Sequence, residues 1–319
     1  MFPDKIAGRT LDYLSGIFGA SPFADGTYTG LCNSMGKGAV DISIALPAVT
    51  KVSQVASINR FASAYTEGPV ISFGGIHPEC ENYKEILKEI KNLGLKGIKM
   101  HPDYQDMYFD NIRYERIIDA ASELGLITVV HAGVDPKCPE DVHCTPEMAR
   151  KVLDDVKPEK LVLAHMGGNE MWDDVERYLV GQNVYFDTGV ILNTMPQEQF
   201  LRIVHMHGAD RILFGTDSPW ADQKNFVALL EHMPLTEEEK AALEEMKQFR
   251  TKFEEAMDDD LNTADAVSAI FELVKLANST ADASSTKSYI SCLLKEIEQL
   301  CDVLGIITER KAEVLDSEI

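Results

Sequence analysis

Between residues 39 and about 220 the chain alternates short, nearly continuous apolar runs with amphipathic stretches. The runs are 39–47, 70–77, 95–101, 127–131, 160–165, 184–187 and 212–217. Runs this short and this uniformly apolar predict parallel strands buried on both faces. The stretches between them predict helices. In 81–94, Tyr83, Ile86, Leu87, Ile90 and Leu93 share one helical face, and Gly94 supplies a left-handed stop. At Thr145-Pro146-Glu147 an N-cap precedes a proline at the first helical position. Strand starts recur every 24 to 33 residues, the length of one βα unit. Repeated βα units predict a parallel sheet, either open and doubly wound or closed as a (β/α)₈ barrel.

After Pro234 the pattern changes to helical periodicity without a strand candidate. Thr236 caps an acidic first turn, and three helices are predicted at about 236–257, 262–278 and 286–304, the last two joined by a loop at 279–285. The expected organisation is an α/β domain over 1–235 followed by an all-α helical bundle over 236–319. In the bundle, Asn262 and Thr263 cap a helix whose buried stripe is Val267, Ile270, Phe271 and Val274. Leu273, Leu293, Leu300 and Leu304 add to that core.

Composition narrows the function classes. The chain is 45% apolar and 26% charged, with a net charge of −22, which opposes non-specific binding to nucleic acid or anionic membrane. The segment 236–319 carries 9 basic and 20 acidic residues, so tRNA is not an expected partner. No apolar run reaches the roughly 20 residues of a membrane span, and the first residues lack a signal-peptide core. Six scattered cysteines form no C-x-x-C pair. A cytoplasmic protein acting on a small molecule is expected.

Candidate chemistry sits at the strand ends, where βα loops meet. Six of the seven runs finish in His or Asp: His77, His101, His131, His165, Asp187 and Asp217. Imidazoles and a carboxylate converging from different strands can hold Zn²⁺ or another divalent metal and leave room for a water. His131, His165 and Asp217 are each followed by small or turn-forming residues that permit close approach of a ligand. His77 reads as a hydrogen-bonded structural group, Asp187 as the cap of its turn, and His101 as either structural or substrate-binding. Cys138-x-x-x-x-His143-Cys144 lies in one βα loop without a second pair and reads as an ordinary loop. His205-x-His207 follows a helix and reads as a C-terminal pair whose cationic imidazoles suit the helix dipole. Phosphate-loop, dinucleotide and nucleophile-elbow motifs are absent.

The motifs GGIHPE, GLKGIKMHPDYQ, VVHAG, LAHMGG, YFDTG and ILFGTDSPW, in that order, resemble the amidohydrolase-related family of metal-dependent (β/α)₈ hydrolases and decarboxylases. The resemblance covers about 1–235 and implies a TIM-barrel-like fold. It also implies a mononuclear metal, usually zinc, held by an H-x-H ending strand one, a histidine ending strand five and an aspartate ending strand eight. Motif by motif, His131 matches the strand-five ligand, His165 the catalytic histidine of strand six, and Asp217 the strand-eight aspartate. Asp217 is therefore both a metal and a catalytic candidate, and Lys99, His101 and Trp220 are the candidate substrate-binding residues. The sequence opens Met1-Phe2-Pro3-Asp4-Lys5, which matches the family's segment just after the H-x-H. Seven strands are thus expected, with an open seam beside strands two and eight that invites a homo-oligomer, and Zn²⁺ should bind weakly.

The tail, KFEEAMDDDLNTADAVSAIFELVKLAN and then CDVLGI, resembles the C-terminal helical domain of cysteinyl-tRNA synthetase over about 247–319. The synthetase's nucleotide-binding signatures are absent, so ligase activity is not implied. The leading expectation is a metal-dependent hydrolase of C–N or ester bonds, or a decarboxylase of aromatic or unsaturated acids. The alternative is a non-catalytic fusion or chimera whose tail is a synthetase-derived RNA- or protein-binding module.

Overall fold

A computed structural model describes residues 1–234 and 236–306. The chain divides into two compact units, 1–230 and 231–319. In the second, residues 307–319 of the expected helical domain lie outside the described residues.

In the first unit each apolar run forms a strand. They are β1 (Ser43–Ala45), β2 (Val70–Ser72), β3 (Gly74–Gly75), β4 (Gly97–Met100), β5 (Ile127–Val130), β6 (Leu161–Leu163), β7 (Tyr185–Asp187) and β8 (Ile212–Leu213). All pairings are parallel and sequential, β1 with β2 and then β3 through β8. The run 70–77 counts twice because its two halves face different neighbours. Phe73, between them, donates its N–H to Ala45 O at 2.9 Å. Asn59 brackets Gly75, accepting from its N–H at 2.8 Å and donating to its carbonyl at 3.1 Å. The architecture is a TIM-barrel-like α/β fold of seven strand runs. Among the described residues β1 pairs only with β2 and β8 only with β7, which leaves the expected seam. Apolar Ile42, Ile44, Leu213 and Phe214 are exposed along it.

The helices follow the punctuation read from the sequence. Helix Tyr83–Asn92 buries Leu87 and Ile90 and stops before Gly94, whose φ is 80°. Helix Pro146–Val156 is capped by Thr145, whose side chain accepts from Met148 N–H. Helix Gln197–His207 ends in the His205/His207 pair, but His207 is not a surface cation. It is buried, stacks on Phe186 at 4.2 Å, accepts from Gly181 N–H at 3.0 Å and donates to Val184 O at 2.9 Å. Accepting at Nδ1 fixes the neutral tautomer, and burial pushes its pKa down.

The second unit contains helices Glu237–Asp258, Thr263–Thr280 and Lys287–Val303. Thr236 and Glu239 form a capping box, and the Glu239 carboxylate also accepts from Thr286 N–H and Oγ1, so it ties two helix starts together. Phe253, Leu273, Tyr289, Leu293 and Leu300 form the core. The expected place of Phe271 in it is corrected: that side chain is 70% exposed. Ala266, Ala269, Ile270, Leu273 and Leu276 face inward instead. The buried stripe is rotated toward the alanines, which let neighbouring helix backbones approach closely. No helix among the described residues is long and apolar enough to cross a membrane.

Candidate active site

Strand register assembles the site. Met100 pairs with Val130, so His101 and His131 emerge side by side from adjacent parallel strands. Their rings stack at 4.1 Å and 8°, close to the ~4.8 Å strand spacing that sets them. Each is followed by a carboxylate, Asp103 two residues after His101 and Asp135 four residues after His131. Pro102 starts a single helical turn, Pro102–Gln105, that turns Asp103 back toward the imidazoles. At the other strand end Gly133 is obligatory. Its φ is +84°, and a Cβ there would stand 2.0 Å from Asn169 N.

His165 enters from β6 on strained backbone, with φ of 59° at His165 and 54° at Met166. Asp187 holds that turn, because its Oδ1 accepts from His165 N–H at 3.0 Å and Gly189 N–H at 2.9 Å. The aspartate is thus a turn cap, as read from the sequence. The His165 ring then lies with Nε2 3.0 Å from His131 Nδ1 and Nδ1 2.9 Å from Gly189 O.

These contacts fix the protons. Gly189 O can only accept, so His165 Nδ1 carries hydrogen, and in the neutral ring Nε2 is bare. His131 Nδ1 must therefore donate to it, which leaves His131 Nε2 as a lone pair. That nitrogen faces Asp103 Oδ2 at 3.7 Å and Asp135 Oδ2 at 3.8 Å. His101 Nε2 stands 3.6 Å from Asp135 Oδ2, and its Nδ1 3.8 Å from Asp103 Oδ2. His101 Nδ1, Asp103 Oδ2 and His131 Nε2 are buried without a hydrogen-bond partner. Burial, reinforced by Lys99 and neighbouring histidines, holds both imidazoles well below their usual pKa. Burial also raises Asp135 to about 6.

Both carboxylates are aimed by their other oxygen. Asp135 Oδ1 accepts from Lys137 N–H at 2.8 Å. Asp103 Oδ1 accepts from His143 N–H at 3.2 Å and lies 3.3 Å from His143 Nδ1 and 3.5 Å from Cys138 Sγ. The Cys138–His143 segment, read from sequence as an ordinary loop, thus positions Asp103. Asp103 and Asp135 are not marked by the strand pattern because they lie beyond the strand ends, Asp103 in the helical turn Pro102–Gln105 and Asp135 in the loop after β5. The available signal was the acid two or four residues after each adjacent histidine.

The other candidates line one cavity of about 600 Å³, walled by Ile44, Leu46, Phe73, Val129 and Val162, with Lys99, His165 and Asp217 on its surface. Lys99 is buried, and burial lowers its pKa against the pull of Asp187 and Asp217. Asp217 is exposed and is not among the groups clustered around His131. Trp220 packs edge-on against Phe18 at 4.7 Å, outside the cavity lining. His77 is buried and accepts from Glu79 N–H at 3.3 Å.

Residues 40–252, two thirds of the chain, match the family described as Amidohydrolase. The chain belongs to the amidohydrolase family. Residues 252–308 match the DALR domain. This amidohydrolase shares that end with cysteine–tRNA ligases: it is 45% identical over 113 residues to the enzyme of Lachnospira eligens, covering 35% of this chain and 23% of the ligase. It thus spans about a quarter of the ligase's length. Among solved structures it is similar to an uncharacterized TIM-barrel protein of Bordetella bronchiseptica, with TM-score 0.56, 18% identity, and 84% of this chain and 95% of that one covered. It is also similar to 2,6-dihydroxybenzoate decarboxylase from Rhizobium, with TM-score 0.55, 15% identity and coverages of 74% and 90%. Dihydroxybenzoic acid decarboxylase of Polaromonas sp. JS666, solved with manganese and 2-nitroresorcinol, matches with TM-score 0.51, 17% identity and coverages of 66% and 81%. At these identities the likeness is one of fold.

Proposed function

We propose that the amidohydrolase unit is a cytoplasmic, divalent-metal-dependent decarboxylase of a small aromatic or unsaturated carboxylic acid. The observation that carries this reading is the placement of Lys99 and His165 on the wall of one largely apolar cavity. An apolar pocket with a few convergent polar groups suits a ring bearing an acid. The Lys99 ammonium, short of water, attracts the substrate carboxylate. Asp217 on the same wall accepts from a ring hydroxyl. As the bond from ring carbon to carboxylate breaks and CO₂ leaves, the doubly protonated His165 ring delivers its Nε2 proton to that carbon and returns to the neutral form that accepts from His131 Nδ1–H. Nε2 carries this proton because Nδ1 stays bonded to Gly189 O. The buried, unpartnered nitrogen of His131 beside two carboxylates fits a cation. When bound, Zn²⁺, Mn²⁺ or a similar ion supplies positive charge that polarises a substrate oxygen.

The test is to incubate the full chain with Mn²⁺ and a panel of hydroxybenzoates in D₂O. CO₂ release and deuterium at the vacated ring position are followed by NMR. Turnover should be lost in His165→Asn and Lys99→Met. Undiminished turnover in either variant would contradict these roles, and cleavage of esters or amides without CO₂ would favour a hydrolase.

A further inference from the structure

We infer that the substrate is an elongated acid, an aromatic ring that carries its carboxylate at Lys99 and, on the opposite side, an apolar arm that runs down between the strands. The inference deepens the reading of the cavity proposed above and rests on it.

The cavity extends well beyond the carboxyl ends of the strands, where His165, Asp187 and Asp217 line it. Its wall continues to Lys96 and Ile127, at the amino-terminal starts of β4 and β5, and to Ile42 just before β1. It therefore runs the length of the strands. Lys96 and Lys99 are three residues apart, ~10 Å along a strand. A volume of ~150 Å³ already accommodates benzene. This cavity measures about 600 Å³, so a ring held at Lys99 leaves most of it to the rest of the ligand.

Closed (β/α)₈ barrels fill their interior with layers of large side chains. Three features of this chain leave room instead. Lys99 pairs with Val129 and Val129 with Val162, so the level below the strand ends is built on two short side chains. One level further down Gly97 pairs with Ile127, and β4 contributes no side chain there. A Cβ on Gly97 would stand 2.5 Å from the Phe73 ring and 2.4 Å from Ile127 O, so glycine is required. Finally, among the described residues β1 and β8 do not pair with each other, which opens the wall between them.

The chemistry of the wall orients the ligand. The acids and the imidazole stand at the Lys99 end, whereas Ile71, Phe73, Ile127 and Val129 wall the stretch toward Lys96. A polar arm in that stretch would lose its water without gaining partners. Ile44, Leu213 and Phe214 are exposed on the open side of the same cavity. An apolar arm laid along them removes their surface from water together with its own, which draws the ligand in lengthwise.

The experiment reads binding, not turnover. Dissociation constants of benzoate and 4-butylbenzoate for the full chain are measured by isothermal titration calorimetry. A fully buried methylene tightens binding about fourfold, so the butyl arm should lower Kd by more than about tenfold even when partly exposed. Ile127→Trp fills the path of the arm and should abolish that gain, and Ile44→Gln should reduce it. Both variants should bind benzoate itself as the wild type does, which a collapsed or misfolded cavity would not, and thermal unfolding checks that each is folded. Equal binding of the two acids by wild type, a gain that survives Ile127→Trp, or no binding of either acid would overturn the inference. Release of CO₂ from short hydroxybenzoates without any gain from the arm would contradict only this inference. A gain from the arm without CO₂ release from hydroxylated, arm-bearing acids would leave it standing and contradict only the proposed reaction.

Discussion

Replacing Asp187 by alanine tests how the site is held. Its Oδ1 accepts two backbone N–H groups, from His165 and Gly189, across a turn in which His165 and Met166 both have positive φ. Two successive non-glycine residues in that region store about 2–4 kcal/mol of strain. Two hydrogen bonds to an ionised acceptor contribute about 3–6 kcal/mol, enough to offset it. Asp187→Ala should therefore lower unfolding stability by about 2–4 kcal/mol, since the turn relaxes and recovers part of the strain. Asp187→Asn keeps an acceptor oxygen and should cost about half as much. Urea unfolding of the metal-free chain measures both values. The relaxed turn should also swing His165 from His131, which breaks their 3.0 Å contact. Loss of the His131 Nδ1–H cross-peak in imidazole ¹⁵N NMR reports this. A change below about 0.5 kcal/mol in the alanine variant, or an unaltered imidazole spectrum, would refute the reasoning.

Other outcomes rest on the same structure. His207 is buried and its pKa depressed, so its contribution to stability is present above the unfolded value of about 6.5 and is lost as pH falls toward the folded value. The thermal midpoint should drop between about pH 7.5 and 5.5, and His207→Gln should flatten that slope; an equal slope in the variant would contradict it. In the second unit, Leu273→Ala should cost about 2–5 kcal/mol and Phe271→Ala less than about 1 kcal/mol, because only the first is buried; chemical denaturation measures both, and equal costs would contradict the assigned stripe. Lys240, Lys247, Arg250, Lys252 and Lys287 each pair with an acid, so the full chain should bind tRNA no tighter than micromolar at physiological salt; submicromolar binding in a filter assay would count against the electrostatic reasoning.

Element identity was legible because local signals and tertiary needs agree. Every apolar run became a strand; β4 to β6 are buried on both faces, which leaves no alternative to continuous apolar residues, and β1 and β8 keep the same composition while exposing Ile44 and Leu213 along the seam. Thr145, Thr236 and Asn262 mark their helix starts because capping is local chemistry. The histidines at strand ends were legible for the same reason, as strand ends are read from the runs. What the sequence did not show depends on direction. Phe271 and Ile270 differ by one position, about 100° around the helix, and only packing against the neighbouring helices chooses between them. His207 has the position of a dipole-stabilised cation, yet Phe186 and Val184, distant in sequence, bury it. Asp103 and Asp135 reach the imidazoles through loop turns fixed by Cys138, His143 and Lys137, contacts that no periodicity encodes.

The central claim is that Lys99 and His165, on the wall of one cavity, serve a single decarboxylation. NMR of the full chain with Mn²⁺ and hydroxybenzoates in D₂O tests it most directly. CO₂ release with deuterium at the vacated ring carbon, lost in His165→Asn, is the predicted result. No CO₂ release by the wild type, or undiminished release by the variant, would contradict it.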